Sequence, residues 1–314
     1  MTIRIDHPKY LEAKRMLEPR FFGMISPSAD RYEEAAELFN RTANDFRKQS
    51  KLEEAAQCFR DAATAFKMAG SEFEVSVAMT NAANAYRQMA SHDANMARQM
   101  VDCLENASAI LLDMGRFSMA ARHKKDIAEA HENILNAPRP AIEAYQKAAE
   151  WYRMDNSKHT ALSCLAKCAT LHATLREFPQ SIACFEELID SHNSDNSGRL
   201  TCRQYYTPLV IVMIVEALTN PAKANHDPTE AAREKLDYFN SIDSSFNRTR
   251  ENQLLNDLLE AIDNRSRDEL ATAVAEYMRM ASLDNWTTDL LLLAKNSLPE
   301  DAVGGSKGDF DGIL

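Results

Sequence analysis

The feature that most constrains this chain is a block of about 20 residues that returns along its first two thirds. The segment Tyr32-Glu-Glu-Ala-Ala-Glu-Leu-Phe39 matches Leu52-Glu-Glu-Ala-Ala-Gln-Cys-Phe59, and related blocks follow at Met119-Ala-Ala-Arg-His123, Ala141-Ile-Glu-Ala-Tyr145, Ala161-Leu-Ser-Cys-Leu165 and Ser181-Ile-Ala-Cys-Phe185. Ala36 to Ala56, Ala121 to Ala141 and Ala141 to Ala161 are each 20 residues apart. Within one block Ala141, Ile142, Tyr145, Ala148, Ala149 and Tyr152 form a single stripe at the 3.6-residue period of an α-helix. One helix and its turn fill a block, so two blocks make a hairpin. No hairpin can bury its own stripe, and hairpins must therefore stack side by side. Alanine at the repeated positions lets helices approach closely, while Phe and Tyr fill the space between them.

This pattern predicts an all-α fold: a tetratricopeptide-like, right-handed solenoid of helical hairpins. The repeats are degenerate, because the Trp-Leu-Gly-Tyr signature of a strict tetratricopeptide repeat is missing. Breakers fall between the predicted helices, at Asn136-Ala-Pro-Arg-Pro140, at Phe178-Pro179 and at residues 190–198. Beyond them the 20-residue rhythm weakens. Longer helices are expected at about 203–218, 228–240, 248–263, 267–280 and 284–296, forming a C-terminal helical bundle. The expected organisation is an N-terminal helix, loop and solenoid over 1–200, the bundle over 201–297, and a Gly-, Asp- and Lys-rich flexible tail over 298–314.

Composition narrows the function classes. Only 8 of 314 residues are Gly, which favours helix. A net charge of −11 argues against a surface that binds nucleic acid as a whole, though not against a local basic patch. The six cysteines are scattered, as expected of reduced structural thiols in the cytoplasm. Cys164 and Cys168 lie one helical turn apart with no second ligand pair in view, so they read as core thiols and not as a metal site. Residues 1–10 lack the apolar centre of a signal peptide. The longest apolar run, Pro208 to Val215, is far short of the ~20 residues needed to span a bilayer, so any membrane contact is expected to be peripheral. No phosphate-binding loop, GxSxG, HExxH or GxGxxG motif is present. The expectation is a protein that is not an enzyme and uses no metal or cofactor.

Three constellations stand out instead. The first is Arg20-Phe-Phe-Gly-Met-Ile-Ser-Pro27, where Phe21, Phe22, Met24 and Ile25 crowd around a Gly between two helices. Exposed apolar area is unfavourable in water. These side chains either tuck beneath the first hairpin or insert into a bilayer interface, where each buried Phe contributes about 1.5–3 kcal/mol. The second is a set of cations, Arg116, Arg122, Lys124, Lys125, Lys167, Arg203 and Arg250, read as lying near helix starts or opposite the apolar stripes. Lined up by a stacked solenoid, such a row suits an acidic helical partner. The third is the Ile313-Leu314 pair that ends an acidic tail.

On this scaffold the chain resembles the soluble NSF attachment protein (SNAP) family, of the alpha type. The resemblance runs from about Tyr32 to Asn296. It is densest at Met114-Gly-Arg-Phe-Ser-Met-Ala-Ala-Arg122 with Asp126-Ile-Ala-Glu129, at Phe21-Phe22-Gly23, at Leu258-Leu-Glu-Ala261 and at Leu283-Asp-Asn-Trp286. It implies an adaptor, several copies of which coat a SNARE four-helix complex and recruit the hexameric ATPase NSF to disassemble it. By the same resemblance Arg116, Arg122, Lys167, Arg203 and Arg250 face the SNARE bundle. Glu260, Asp263, Ile313 and Leu314 serve the ATPase, and Phe21, Phe22, Met24 and Ile25 touch the membrane. The implied location is cytoplasmic and peripheral on membranes. Ser163 and Asn264 depart from the family pattern, which places a Lys and an acid there. A tetratricopeptide-like peptide-binding scaffold unrelated to fusion is the alternative.

Overall fold

The computed structural model describes residues 5–18, 27–91, 93–193, 199–220, 227 and 229–300. Regular structure among them is entirely helical. The chain divides into two compact units, Met1–Cys164 and Leu165–Leu314. That division falls inside one helix, whereas the repeat rhythm changes near residue 200.

The first unit holds α1 (Pro8–Leu17), α2 (Ala29–Lys48), α3 (Leu52–Ala69), α4 (Glu72–Ala90), α5 (Ala94–Asp113), α6 (Phe117–Asn133), α7 (Pro138–Met154) and the start of α8 (Lys158–Thr174). Each helix from α2 to α7 packs on the one before it, which makes a stack of hairpins. The repeated alanines lie in the packed interior: Ala36, Ala56, Ala121 and Ala141 are fully buried, and Ala161 is 1 % exposed. Phe39, Phe59 and Tyr145 fill the gaps beside them.

Polar bonds then tie α3 to α5 and α4 to α6, at hairpin spacing. The Arg60 guanidinium donates to Gln99 Oε1 at 2.6 Å and Arg87 to Asp126 Oδ2 at 2.5 Å, both across 39 residues. Thr80 Oγ1 meets His123 Nε2 at 3.1 Å across 43.

One turn motif sets the 20-residue period. After α3 the chain enters the left-handed region at Gly70, Gly70 N–H bonds Lys67 O, and Ser71 N–H reaches back to Phe66 O at 3.0 Å. The same pair of bonds closes a helix at Ser50, Gly115, Asn156, Arg176 and Arg265. Only two of these six positions carry Gly, the residue that adopts positive φ without penalty. The turn is therefore held by tertiary packing more than by local preference.

The second unit contains the rest of α8, α9 (Phe178–Asn193), the short α10 (Arg199–Cys202), α11 (Tyr206–Thr219), α12 (Glu230–Ile242), α13 (Arg250–Asp263), α14 (Arg267–Met278) and α15 (Asn285–Ser297). Helix α11 is its axis and packs against α9, α12, α13 and α15. Leu209, Val210, Ile211, Val212 and Val215 are fully buried, as a helix apolar on all sides must be. The apolar run of the sequence is thus a core helix. No described helix is long and apolar enough to cross a membrane. At the start of α11 the Tyr206 ring lies flat on Phe239 at 4.0 Å and edge-on to Phe246 at 5.3 Å.

The expected C-terminal helices are present, but they are shorter than the solenoid helices, not longer. Helices α11 to α15 span 12–14 residues, against 17–20 for α2 to α7. Local bonds set where several of them begin. Arg203–Tyr205 is a single 3₁₀ turn, so α11 begins only at Tyr206. Thr249 and Ser266 cap α13 and α14 by accepting from Asn252 and Glu269 N–H.

Candidate functional site

The cations of the first unit gather on α6. The left-handed turn at Gly115 delivers Arg116 to the N-cap of α6, its own N–H bonded to Leu111 O at 2.8 Å. Its exposed guanidinium lies 4.6 Å from the centre of the Phe73 ring on α4. A cation over an aromatic face is attracted by the ring quadrupole, worth about 0.5–1 kcal/mol when exposed. Arg116 is therefore held in place without losing charge. Arg122, also exposed, follows about 9 Å further along the helix at 1.5 Å per residue.

Lys124 corrects the reading that placed it with them. Two residues turn a helix by about 200°, so Lys124 points into the stack when Arg122 points out. It is 8 % exposed, and its ammonium donates to both Glu105 carboxylate oxygens at 2.6 and 2.5 Å. Lys125 is half-buried and faces Glu129 at 3.8 Å.

The histidines of α6 pack beneath this surface. Burial holds both His123 and His131 below the usual imidazole range, and Nδ1 of each is buried with no hydrogen-bond partner among the described residues. The neighbours partly offset each other: Asp126 opposes Arg122 and Arg87 at His123, and Glu105 opposes Lys124 at His131. A group whose folded pKa is depressed keeps the folded state fully stable above its unfolded pKa, near 6.5 for His. That stability is lost as pH falls through the folded value. The urea midpoint of the first unit is therefore expected to drop between pH 7.5 and 5.5, and to drop less in H123Q/H131Q. Equal pH slopes in the two proteins would rule the histidines out as the cause.

The remaining expected cations lie in the second unit. Lys167 is exposed on α8. Arg250 is exposed at the first turn of α13, with Nη1 3.5 Å from Met280 O. Arg203 is committed within the fold. Its Nε and Nη2 donate to Asp243 Oδ2 at 2.9 and 2.6 Å, and Nη2 also donates to Ser245 Oγ. The guanidinium and the Ser245 bonds hold the Asp243 carboxyl below the usual range despite its burial. Ser163, where the family pattern has Lys, donates its hydroxyl to Thr160 O at 2.7 Å and presents no charge.

Acidic residues concentrate between α13 and α14. Asp257, Glu260, Asp268, Glu269 and Glu276 line a groove of about 480 Å³ with Gln253, Asn264 and Thr272, and no basic side chain lines it. Asn264, where the family pattern has an acid, donates Nδ2 to Glu269 Oε2 at 2.8 Å, so a carboxylate still sits at that position. Glu260 is exposed. Asp263 is exposed too but tied to α12, paired with Arg233 and accepting from Thr229 Oγ1 at 2.9 Å.

Two groups of expected site residues, Phe21, Phe22, Met24 and Ile25 and the terminal Ile313 and Leu314, lie outside the described residues. Cys164 and Cys168 are buried, and burial pushes the Cys164 thiol up to about 11. No cluster of His, Cys, Asp or Glu able to hold a metal ion occurs among the described residues.

Sequence reasoning missed Phe73 and four of the five groove acids. Phe73 lies 43 residues before Arg116, about one hairpin upstream, and the repeat register brings their two helices near each other without pairing these side chains. The acids recur at helical spacing, 257 with 260 and 268 or 269 with 276.

Comparison with known proteins decides the family. The family model described as soluble NSF attachment protein, SNAP, matches residues 8–299. The chain belongs to the SNAP family. It is 37 % identical over 292 residues to the alpha-soluble NSF attachment protein of Dictyostelium discoideum, covering 92 % of this chain and 94 % of that one. It is 33 % identical over 280 residues to a probable vesicular-fusion protein sec17 homolog of Neurospora crassa, covering 89 % and 90 %. The alpha-soluble NSF attachment protein of Mus musculus is 27 % identical over 292 residues, covering 92 % and 93 %. As a member of a family of attachment proteins, this SNAP is not an enzyme.

Proposed function

We propose that this SNAP is an adaptor of vesicle fusion that binds SNARE four-helix complexes and brings an NSF-type hexameric ATPase to disassemble them. Arg116 and Arg122, with Lys167 and Arg250, contact acidic side chains of the SNARE bundle. Arg203 supports that surface through Asp243. Glu260 and its neighbours in the α13–α14 groove, with Asp263 at the rim and Ile313-Leu314 on the tail, engage and stimulate the ATPase. Phe21, Phe22, Met24 and Ile25 attach the adaptor peripherally to the cytoplasmic side of a membrane, and several copies act on one SNARE complex. In this reading residues 1–200, with Arg203 and Arg250, serve the SNARE complex and the membrane, the acidic face of 201–297 the ATPase, and 298–314 its stimulation.

The observation that carries the reading is the pairing of Arg116 with Phe73. An arginine held on an aromatic ring keeps its charge for a partner, whereas one held by a carboxylate does not. Two exposed cations about 9 Å apart along α6 offer two separate points of contact to an acidic partner. Exposed pairs of this kind contribute about 0.2–1 kcal/mol each. Several copies held at one membrane add avidity without new contacts.

The test is release of a fluorescently labelled SNARE complex by NSF and ATP, with this protein as the only adaptor. Release should require the protein and fall sharply in D257K/E260K and in a chain lacking Ile313 and Leu314. Disassembly that proceeds equally well without the protein would refute the adaptor role. Binding followed by no disassembly would remove the ATPase half of the proposal.

A further inference from the structure

A second cleft in the C-terminal unit has a chemistry of its own. It encloses about 500 Å³ and is lined by residues from three places: Arg203 and Thr207 at the start of α11, Thr249 and Glu251 at the start of α13, and Tyr277, Leu283, Asp284 and Trp286 around the turn from α14 into α15. Its one lining cation, Arg203, is already neutralised by Asp243. The charge left is negative. Asp284 stands at the N-cap of α15, yet its exposed carboxylate bonds none of the helix N–H groups. Glu251 is half-buried and accepts only a long bond, 3.3 Å, from Tyr277 Oη. Trp286 supplies an aromatic wall: it stacks near-parallel to Phe185 at 6.3 Å and stays half-exposed.

We propose that this cleft receives a lysine or arginine side chain of a partner protein, with Trp286 and Tyr277 against its alkyl stem and cationic head and Glu251 and Asp284 as its counter-charges. Two carboxylates beside an indole favour a cation in two ways, by charge and by the ring quadrupole. An anion meets like charge here, and a purely apolar side chain leaves the two carboxylates balanced only by the N-termini of α13 and α15. Arg203, one of the cations expected to face the SNARE bundle, lines this cleft but is paired with Asp243, so the cleft's remaining charge is opposite in sign to that of the α6 surface. The site does not depend on the adaptor reading.

The chain has two tryptophans, Trp151 and Trp286, so W151F leaves Trp286 as the only reporter. The full-length W151F protein is titrated with a helical Ala-Arg peptide and with the same peptide carrying Gln for Arg. The expected result is a saturable change in Trp286 emission with the Arg peptide alone, weakened at least tenfold by E251Q/D284N. Variant D257N/E260Q/D268N, which neutralises the other acidic groove, should leave the response unchanged and so separate this cleft from general attraction to a negative protein. D284N alone, at an exposed position, provides the same comparison with less risk to the fold. No response, an equal response to the Gln peptide, or a response that survives E251Q/D284N while D257N/E260Q/D268N abolishes it would each overturn the proposal.

Discussion

Reversing Arg116 and Arg122 to Glu is expected to weaken binding of a soluble SNARE complex about ten- to hundredfold at low salt. Two exposed contacts worth up to about 1 kcal/mol each are lost, and repulsion of similar size replaces them. The total, about 2–3 kcal/mol, corresponds to this range at 1.4 kcal/mol per tenfold. Salt screens attraction and repulsion alike, so the steep salt dependence of the parent should flatten in the variant. The fold itself is not at risk. Both side chains are exposed, and a Glu at the N-cap of α6 suits the positive end of the helix dipole. Phe73→Ala separates charge from orientation: it leaves both arginines and removes only the ring beneath Arg116, so a smaller loss is expected. Measurement of SNARE affinity against salt concentration decides the matter. Unchanged affinity at low salt would remove α6 from the interface.

The fold was legible because the repeats were, and the family because of specific stretches such as 114–122 and 283–286. Ala36, Ala56, Ala121, Ala141 and Ala161 announced close helix packing, and all five are buried. The turns were less legible. Ser50, Arg176 and Arg265 adopt positive φ, a geometry that Gly, and Asn as at Asn156, signal in a sequence but Ser and Arg do not. Helix lengths after residue 200 failed for a related reason, since the bonds that set where several of them begin are short-range and sequence-specific, unlike hydrophobic period.

Charged residues divide in the same way. The periodic pattern settles whether a side chain faces in or out only when its angle on the helix is counted. That count puts Arg122 outside and Lys124 inside, against Glu105. It does not reveal that Arg203 meets Asp243, 40 residues on, because nothing local links them. A cation on a surface stripe and a cation already paired look identical in sequence. Only the second can be a strut, and only the first can be a contact.

The largest stability effect is expected from Phe239→Ala in the C-terminal unit. Phe239 is 1 % exposed, and its ring lies parallel to Tyr206 at 4.0 Å. Tyr206 in turn is edge-on to Phe246, and its hydroxyl meets Cys202 Sγ at 3.1 Å. This aromatic group joins the start of α11 to α12 and to the turn before α13. Removing one ring leaves a cavity walled by rigid helices with little freedom to collapse, so the cost is at the upper end of core truncations, about 3–5 kcal/mol. With a urea slope of about 1–3 kcal/mol per molar, the midpoint should fall by about 1 M or more. The two tryptophans report separately, Trp151 from the first unit and Trp286 from the second. The loss must appear in the Trp286 transition, and an unchanged Trp286 midpoint would show that the stacked rings do not hold the unit together. A matching shift at Trp151 would mean that the units unfold as one. The adaptor proposed above, standing between an ATPase and its substrate, needs that cooperativity, because a unit that yields alone dissipates the force it should pass on.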